Sequence, residues 1–200
     1  INKSKIFYVG GLGASKIDKI KLLKKNEVEN KLNLKINKKL IVVSFHPITL
    51  ENQITGIHYL NLLKSLKNFD DTEIIITAPN TDVNHNKIYK LTKNFIKKYK
   101  HFHFYRSLGN EVFYSLLNIS TIIIGNSSSG ILEAPSFNIS IINIGNRQKG
   151  RVQSKNVINC RPIINEITKN ITKVFLNKKY YQKLNRIKNP YFKKNTEKNI

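Results

Sequence analysis

The 200-residue chain has no tryptophan, no methionine, one cysteine and few arginines, and each scarcity narrows what it can be. With Cys160 alone, a disulfide framework and a cysteine-based zinc finger are both excluded. No apolar run approaches the roughly 18–20 residues that a membrane-spanning helix needs. The opening Ile-Asn-Lys-Ser-Lys leads into no apolar signal core, so the expected setting is the reducing cytoplasm, away from membrane. Acidic residues number 12 against 35 basic, a formal charge of +23. Only Arg106, Arg147, Arg151, Arg161 and Arg186 are arginine; the other basic residues are lysines spread along the whole sequence. Nucleic-acid sites favour clustered, planar arginine forks, so the charge reads as a solvated basic surface that attracts anions in general. The excess of lysine, with abundant Asn and Ile, fits compositional drift toward AT-rich codons.

What remains is a globular composition, 40% hydrophobic and 24% charged, in a chain long enough to bury a sizeable core. Short β-branched runs at Lys5–Val9, Leu40–Phe45, Glu73–Thr77, His101–Phe104, Thr121–Gly125, Ser140–Ile144 and Asn156–Cys160 read as strands. Continuous apolar stretches such as Ile74–Ile76 and Ile122–Ile124 are the pattern of central parallel strands covered on both faces. Helical spacing falls between them: Ile54, Ile57, Leu60, Leu63 and Leu66; Ile88, Leu91, Phe95 and Tyr99; Val112, Phe113, Leu116 and Leu117. Further helices are expected from about Ser128, over Ile163–Phe175 and over Lys179–Ile187. This alternation predicts α/β architecture, a Rossmann-like parallel sheet with helices on both faces. Gly10-Gly11-Leu12-Gly13 reads as a turn straight after the first strand, with almost no lead-in, as in the second half of a longer protein. The domain expected is 1–188, and the polar 189–200 tail either frays or docks on something outside this chain.

Four strand ends carry side chains suited to an anion. The first is Thr121–Glu133 (TIIIGNSSSGILE), a buried strand, a Ser/Gly turn and a helix start, where Ser127 and Ser128 offer hydroxyls and unpaired N–H groups. Glu133 could accept from sugar hydroxyls. The second is Asn143–Arg151 (NIGNRQKGR), in which Arg147 has the fork that matches phosphate oxygens. The third is Ser44-Phe45-His46-Pro47, which sets His46 at the carboxyl edge of the sheet to bind phosphate or move a proton. The fourth is Thr77-Ala78-Pro79-Asn80, with Asp82 close behind. Each has a plain alternative: a helix N-cap, a solvated basic loop, a structural histidine, a turn asparagine. Their common position at the carboxyl edge of one parallel sheet makes an anionic nucleotide the expected ligand. His101 and His103 share a strand face, but no further ligands stand at a metal-site spacing. Cys160, in an apolar strand without a base partner, reads as inert.

Taken together, GNSSSGILEAPSF (125–137), NIGNRQKGR (143–151) and NVINC (156–160) closely resemble the UDP-N-acetylglucosamine 2-epimerases, in their hydrolysing, sialic-acid-pathway branch. FHPITLE (45–51), TAPNTD (77–82), NPY (189–191) and the opening YVGGLGASKIDKI look like further family segments in the same order, so the likeness covers almost the whole chain. The resemblance implies the C-terminal half of a GT-B-like enzyme that holds UDP or a UDP-sugar. Ser127 and Ser128 would bind the diphosphate, Glu133 the ribose and Arg147 the phosphates or sugar. His46 would be the phosphate-proximal residue important for turnover, Asn80 a UDP contact, and the backbone around Leu108 the reader of uracil. It further implies elimination of UDP across C1–C2 to a glycal-like intermediate, then hydration to N-acetylmannosamine, with no metal and no redox cofactor. The acid–base carboxylates would lie in the N-terminal half, which is also the expected partner and the route to a homo-oligomer, so this half alone would bind but not turn over. Departures stand at Phe137-Asn138-Ile139-Ser140, where the family has Phe-Gly-x-Pro; at Asn146, where Asp is usual; and after Tyr191, where Phe192-Lys193-Lys194 replaces a Gly-rich run. A basic nucleic-acid-binding module and a non-catalytic, decayed relative are the alternatives.

Overall fold

The computed structural model describes residues 2–48, 52–80, 85–177, 184 and 187–200. Its centre is a parallel sheet of six strands: β1 (Lys39–Ser44), β2 (Thr72–Thr77), β3 (Phe102–Tyr105), β4 (Ile122–Gly125), β5 (Ser140–Ile144) and β6 (Val157–Cys160), in the order β3-β2-β1-β4-β5-β6. The central register sets Ile41–Val43 beside Ile74–Ile76 on one side and Ile122–Ile124 on the other. Side chains alternate across a strand, and here both faces are apolar. Ile41, Val43, Ile74, Ile76, Ile122 and Ile124 enter one core, while Leu40, Val42, Ile75 and Ile123 enter the other. This is why the strands read as unbroken apolar runs.

Helices cover both faces. The first core is closed by α3 (Asn52–Leu66), α4 (His85–Lys98) and α7 (Ile164–Leu176), the second by α2 (Lys25–Leu32) and α5 (Gly109–Ile119). The helix expected over Ile54–Leu66 is present, but its buried face matches only the end of the expected stripe. Leu63 and Leu66 are buried as expected, whereas Ile54 and Ile57 are 41% and 56% exposed and Thr55, Tyr59 and Leu62 are buried in their place. Strict three-residue steps drift around a 3.6-residue helix, so five residues spaced this way spread over about two thirds of its circumference and cannot share one face. The Tyr59 hydroxyl, sealed in this core, lies 2.6 Å from the Thr92 hydroxyl of α4, and burial pushes its ionisation well above the ordinary phenol range.

The expected strand Lys5–Val9 does not form. Residues 3–5 make a 3-10 turn, and Ile6, Phe7 and Tyr8 are 60–78% exposed. No sheet edge reaches them; they run beside the chain's own C-terminal residues. The Gly11 N–H donates to the Tyr191 carbonyl at 2.8 Å, Lys193 Nζ donates to the Tyr8 carbonyl at 2.7 Å, the Tyr8 hydroxyl donates to the Pro190 carbonyl, and Lys19 pairs with Glu197 at 2.6 Å. The tail from Asn189 is therefore docked on this chain itself. Asn189 also donates to the Leu132 carbonyl and to Ser136. Gly10 has φ +88, and a Cβ there would stand 2.7 Å from Lys193 Cβ, so the clasp needs glycine at that point. The Gly11–Gly13 stretch opens a short α1 (Leu12–Lys16) rather than a plain turn. The expected helix Lys179–Ile187 and Asp82 lie largely outside the described residues.

Candidate functional site

In this strand order, β1 and β4 are neighbours whose onward connections leave in opposite directions, and the crevice beyond their carboxyl ends is where such sheets take ligands. The two strands approach very closely there. Gly125 closes β4 with φ +143, and a Cβ on it would lie 2.0 Å from the Ser44 carbonyl oxygen. That room lets the next residues fold back over β1. The Asn126 and Ser127 N–H groups both donate to the Ser44 carbonyl, at 3.2 and 3.3 Å. The wholly buried Asn126 side chain then clamps His46: Oδ1 accepts from the His46 N–H at 2.7 Å and Nδ2 donates to the His46 carbonyl at 2.9 Å.

His46 is held by its ring as well. Nδ1 accepts the Asn80 N–H at 3.0 Å, and Nε2 lies 3.1 Å from Ser127 Oγ. The imidazole thus bridges the ends of β2 and β4 across the end of its own strand. Arg147, in the loop after β5, donates from Nη1 to the Asn126 carbonyl at 3.2 Å, and the buried Gln148 donates to the same oxygen at 2.8 Å. The serine turn and the arginine therefore stand side by side.

These groups open onto one cleft of about 410 Å³, inside the ~300–1,000 Å³ span of small-ligand sites. Ser44 and His46 line it from β1, Thr77 and Asn80 from β2, and Ser127, Ser128 and Ser129 from β4. Arg147 closes the far side, and Leu108, Asn110 and Phe113 at the start of α5 form the remaining wall. Of the residues expected from the sequence, His46, Asn80, Leu108, Ser127, Ser128 and Arg147 come together here. Glu133 stands outside this lining, its carboxylate packed over α1 so tightly that a Cβ on Gly13 would lie 2.2 Å from Oε1. Burial pushes that carboxyl up to about 7, against the lowering pull of its own backbone N–H and of Arg151.

The helix expected from Ser128 is much shorter than it reads. α6 is Ser129–Leu132, followed by a 3-10 turn over Ala134–Phe137, and Ser128 caps it without a side-chain hydrogen bond. Pro135 is the reason, because it lacks an N–H and disfavours helical geometry at the residue before it. A four-residue turn has little dipole to offer an anion, so the charge complement in the cleft rests on Arg147 and on hydroxyl and amide donors. Asn138 ends that turn in the left-handed region, φ 54, the conformation that Asn tolerates where glycine is otherwise used. Four residues with parts in this architecture had no role assigned from the sequence: Asn126, Gln148, Ser129 and Phe113. The first three lie inside the quoted motifs, but nothing in a pattern tells which hydrogen bonds each of them makes.

Outside the cleft, His103 is paired with Glu73 at 2.7 Å, and burial holds the His101 ring below its ordinary ionisation range. Among the described residues, no three His, Cys, Asp or Glu side chains come close enough to hold a metal ion, and no helix is long and apolar enough to cross a membrane. Cys160 is buried, and its thiol is pushed up to about 11 by that burial.

The model of one protein family, described as UDP-N-acetylglucosamine 2-epimerase, matches residues 1–200. The chain belongs to that family. It is 36% identical over 157 residues to the GDP/UDP-N,N'-diacetylbacillosamine 2-epimerase (hydrolyzing) of Campylobacter jejuni, covering 78% of this chain and 41% of that protein. It is 36% identical over 191 residues to the polysialic acid biosynthesis protein P7 of Escherichia coli, covering 95% and 48%. The chain thus spans just under half the length of these curated relatives. Among solved structures, the S. aureus MnaA–UDP co-structure superposes with a TM-score of 0.77 at 14% identity, over 99% of this chain and 52% of that one. The UDP-GlcNAc 2-epimerase of Neisseria meningitidis, bound to UDP-GlcNAc, superposes at 0.65 and 21% identity, over 87% and 46%. At such identities the likeness is one of fold: this epimerase-family chain has the architecture of about half of each.

Proposed function

We propose that this chain is the nucleotide-binding, C-terminal half of a hydrolysing UDP-N-acetylglucosamine 2-epimerase of the two-domain GT-B type, which converts UDP-GlcNAc and water to ManNAc and UDP. The single observation that carries the reading is the convergence of His46, Ser127 and Arg147 on one cleft at the β1–β4 switch point, in a chain of this family. Arg147 and the turn at Ser127 and Ser128 would hold the diphosphate, and His46 would sit against it. Asn80 and the backbone at Leu108 would bound the nucleoside. Glu133 is assigned to the ribose hydroxyls on the resemblance alone, since its carboxyl packs over Gly13 outside the cleft lining.

In the elimination, the C2–H proton leaves to a base, a C1–C2 double bond forms, and the C1–O bond breaks with its electron pair passing to the β-phosphate oxygen. Water then adds to the glycal-like product. What this half contributes is stabilisation of the departing diphosphate by donors fixed before the reaction, the term that most often dominates such catalysis. The surplus of lysine on the surface raises the local concentration of a polyanionic substrate. The groups that move the C2 proton would come from the other half, so the chain alone would bind UDP and not epimerise. No metal or redox cofactor takes part in this scheme, and a homo-oligomer would form through the other half.

A second reading concerns the sugar alone. The Campylobacter relative and a 30% identical one from Legionella pneumophila are both named for N,N'-diacetylbacillosamine, which favours a UDP-linked diacetamido sugar as the alternative substrate.

Titration calorimetry of the 200-residue chain with UDP tests the nucleotide reading. Binding tighter than about 1 mM is expected, and Arg147→Ala should weaken it by about tenfold or more, the scale of one charge-assisted hydrogen bond. Binding weaker than that, indifferent to Arg147→Ala and Ser127→Ala, would refute it. Release of ManNAc from UDP-GlcNAc by this chain alone would overturn the division of labour between halves.

A further inference from the structure

The hydrogen bonds around His46 have a direction. Its Nδ1 faces the Asn80 backbone N–H at 3.0 Å, a donor that cannot be reversed, so Nδ1 must accept. The neutral ring then carries its proton on Nε2, which lies 3.1 Å from Ser127 Oγ and donates to it. A second fixed donor, the Ser129 N–H, points at the same oxygen from 3.3 Å. A hydroxyl has two lone pairs and one proton. With both lone pairs of Ser127 Oγ taken, it cannot accept a third bond from Ser129 Oγ, 3.1 Å away. The Ser127 proton must therefore go to Ser129 Oγ, and the Ser129 proton is left to point onward. Ser129 lines the cleft.

We infer that Asn80, His46, Ser127 and Ser129 form a one-way donor chain that delivers the Ser129 hydroxyl proton to an oxygen of the bound diphosphate, making Ser129 a binding residue and His46 a positioning residue that acts through Ser127. The inference rests on the reading of the cleft as a diphosphate site, and deepens it in two respects. It assigns the anion contact to Ser129, the one serine of the run with no expected role, and it makes His46 a neutral donor rather than a proton acceptor from the ligand. It also explains how the turn serves an anion despite the brevity of α6. Chains of hydroxyls polarise one another when all point the same way, and two backbone N–H groups fix the orientation of this one before any ligand arrives. A ligand oxygen that can only accept, as on a fully ionised diphosphate, suits its end; a ligand hydroxyl or amide donor would meet a proton.

The test has two parts on the 200-residue chain. Long-range ¹H–¹⁵N NMR of the ligand-free protein near neutral pH reads the His46 ring directly. A protonated, pyrrole-type Nε2 with a pyridine-type Nδ1 is expected, and a proton on Nδ1, or on both nitrogens, overturns the chain. Calorimetry with UDP reads its far end. Ser129→Ala should weaken binding about tenfold or more, and His46→Asn, which removes the donor at the Nε2 position, should do the same. His46→Gln, whose amide N–H reaches that position, should restore affinity to within about threefold, which a merely space-filling histidine would not predict. Ser129→Ala binding like the unaltered chain, or His46→Gln failing as badly as His46→Asn with thermal unfolding unchanged, refutes the role. Should the unaltered chain bind no UDP while the ring shows the expected tautomer, the diphosphate reading falls and the ligand assigned here falls with it, while the direction of the hydrogen bonds stands.

Discussion

Replacing Glu133 by glutamine should make the protein more stable above neutrality, by an amount that grows with pH. The carboxyl is packed over Gly13, and burial raises its ionisation from 4.5 to about 7. A group that holds its proton more tightly when folded contributes stability fully present below about pH 4.5. That stability is lost as pH rises through the folded value near 7. At about 1.4 kcal/mol for each pH interval between the two values, ionising Glu133 costs about 3 kcal/mol by pH 8. Glutamine keeps the shape and hydrogen-bonding of the protonated acid and has no charge to desolvate. The assay is urea unfolding of both proteins from pH 4.5 to 8.5. The difference between them should be small at the acid end, rise between pH 5 and 7.5, and level off. Glu29, Glu166 and Glu197 have the opposite sign. The Ile36 N–H, the Arg161 N–H and Lys19, respectively, hold them below the usual carboxylate range, so both proteins lose that stability together as pH falls, and it cancels in the difference. A difference that does not change with pH would show that Glu133 is solvated, and would refute the packing argument.

Two further outcomes follow from close contacts. Gly125→Ala should lower stability by more than about 2 kcal/mol in urea titration, since its φ of +143 disfavours a side chain and the new Cβ would meet the Ser44 carbonyl; a small effect would mean that β1 and β4 can move apart. The Cys160 thiol, pushed up from 9.0 to about 11, should alkylate about a hundredfold more slowly at pH 8 than an ordinary thiol. Mass spectrometry should find it labelled only after denaturation, and rapid labelling of the native chain would contradict the buried placement.

The parts of the fold that the sequence displays are those where burial is two-sided. Ile74–Ile76 and Ile122–Ile124 have nowhere to go but the middle of a parallel sheet. Apolarity misled at Ile6-Phe7-Tyr8, because a strand needs a neighbour to receive its hydrogen bonds, and composition does not report one. The helix α2 is hidden for the converse reason: KNEVENKL buries little beyond Val28, Leu32 and the apolar stem of Glu29, whose carboxylate receives the Ile36 N–H. In the cleft, residues at strand ends were legible because topology puts all carboxyl ends on one edge. The clamp by Asn126, the distinct part of Ser129 and the placement of Glu133 over Gly13 rest on distances in space that a pattern of residue types does not carry.

The stitching of residues 8–19 to residues 189–197 has a mechanical corollary. The two segments meet at one margin of the α/β unit, so a pull on either is shared by the other through the Gly11–Tyr191, Tyr8–Lys193 and Lys19–Glu197 contacts.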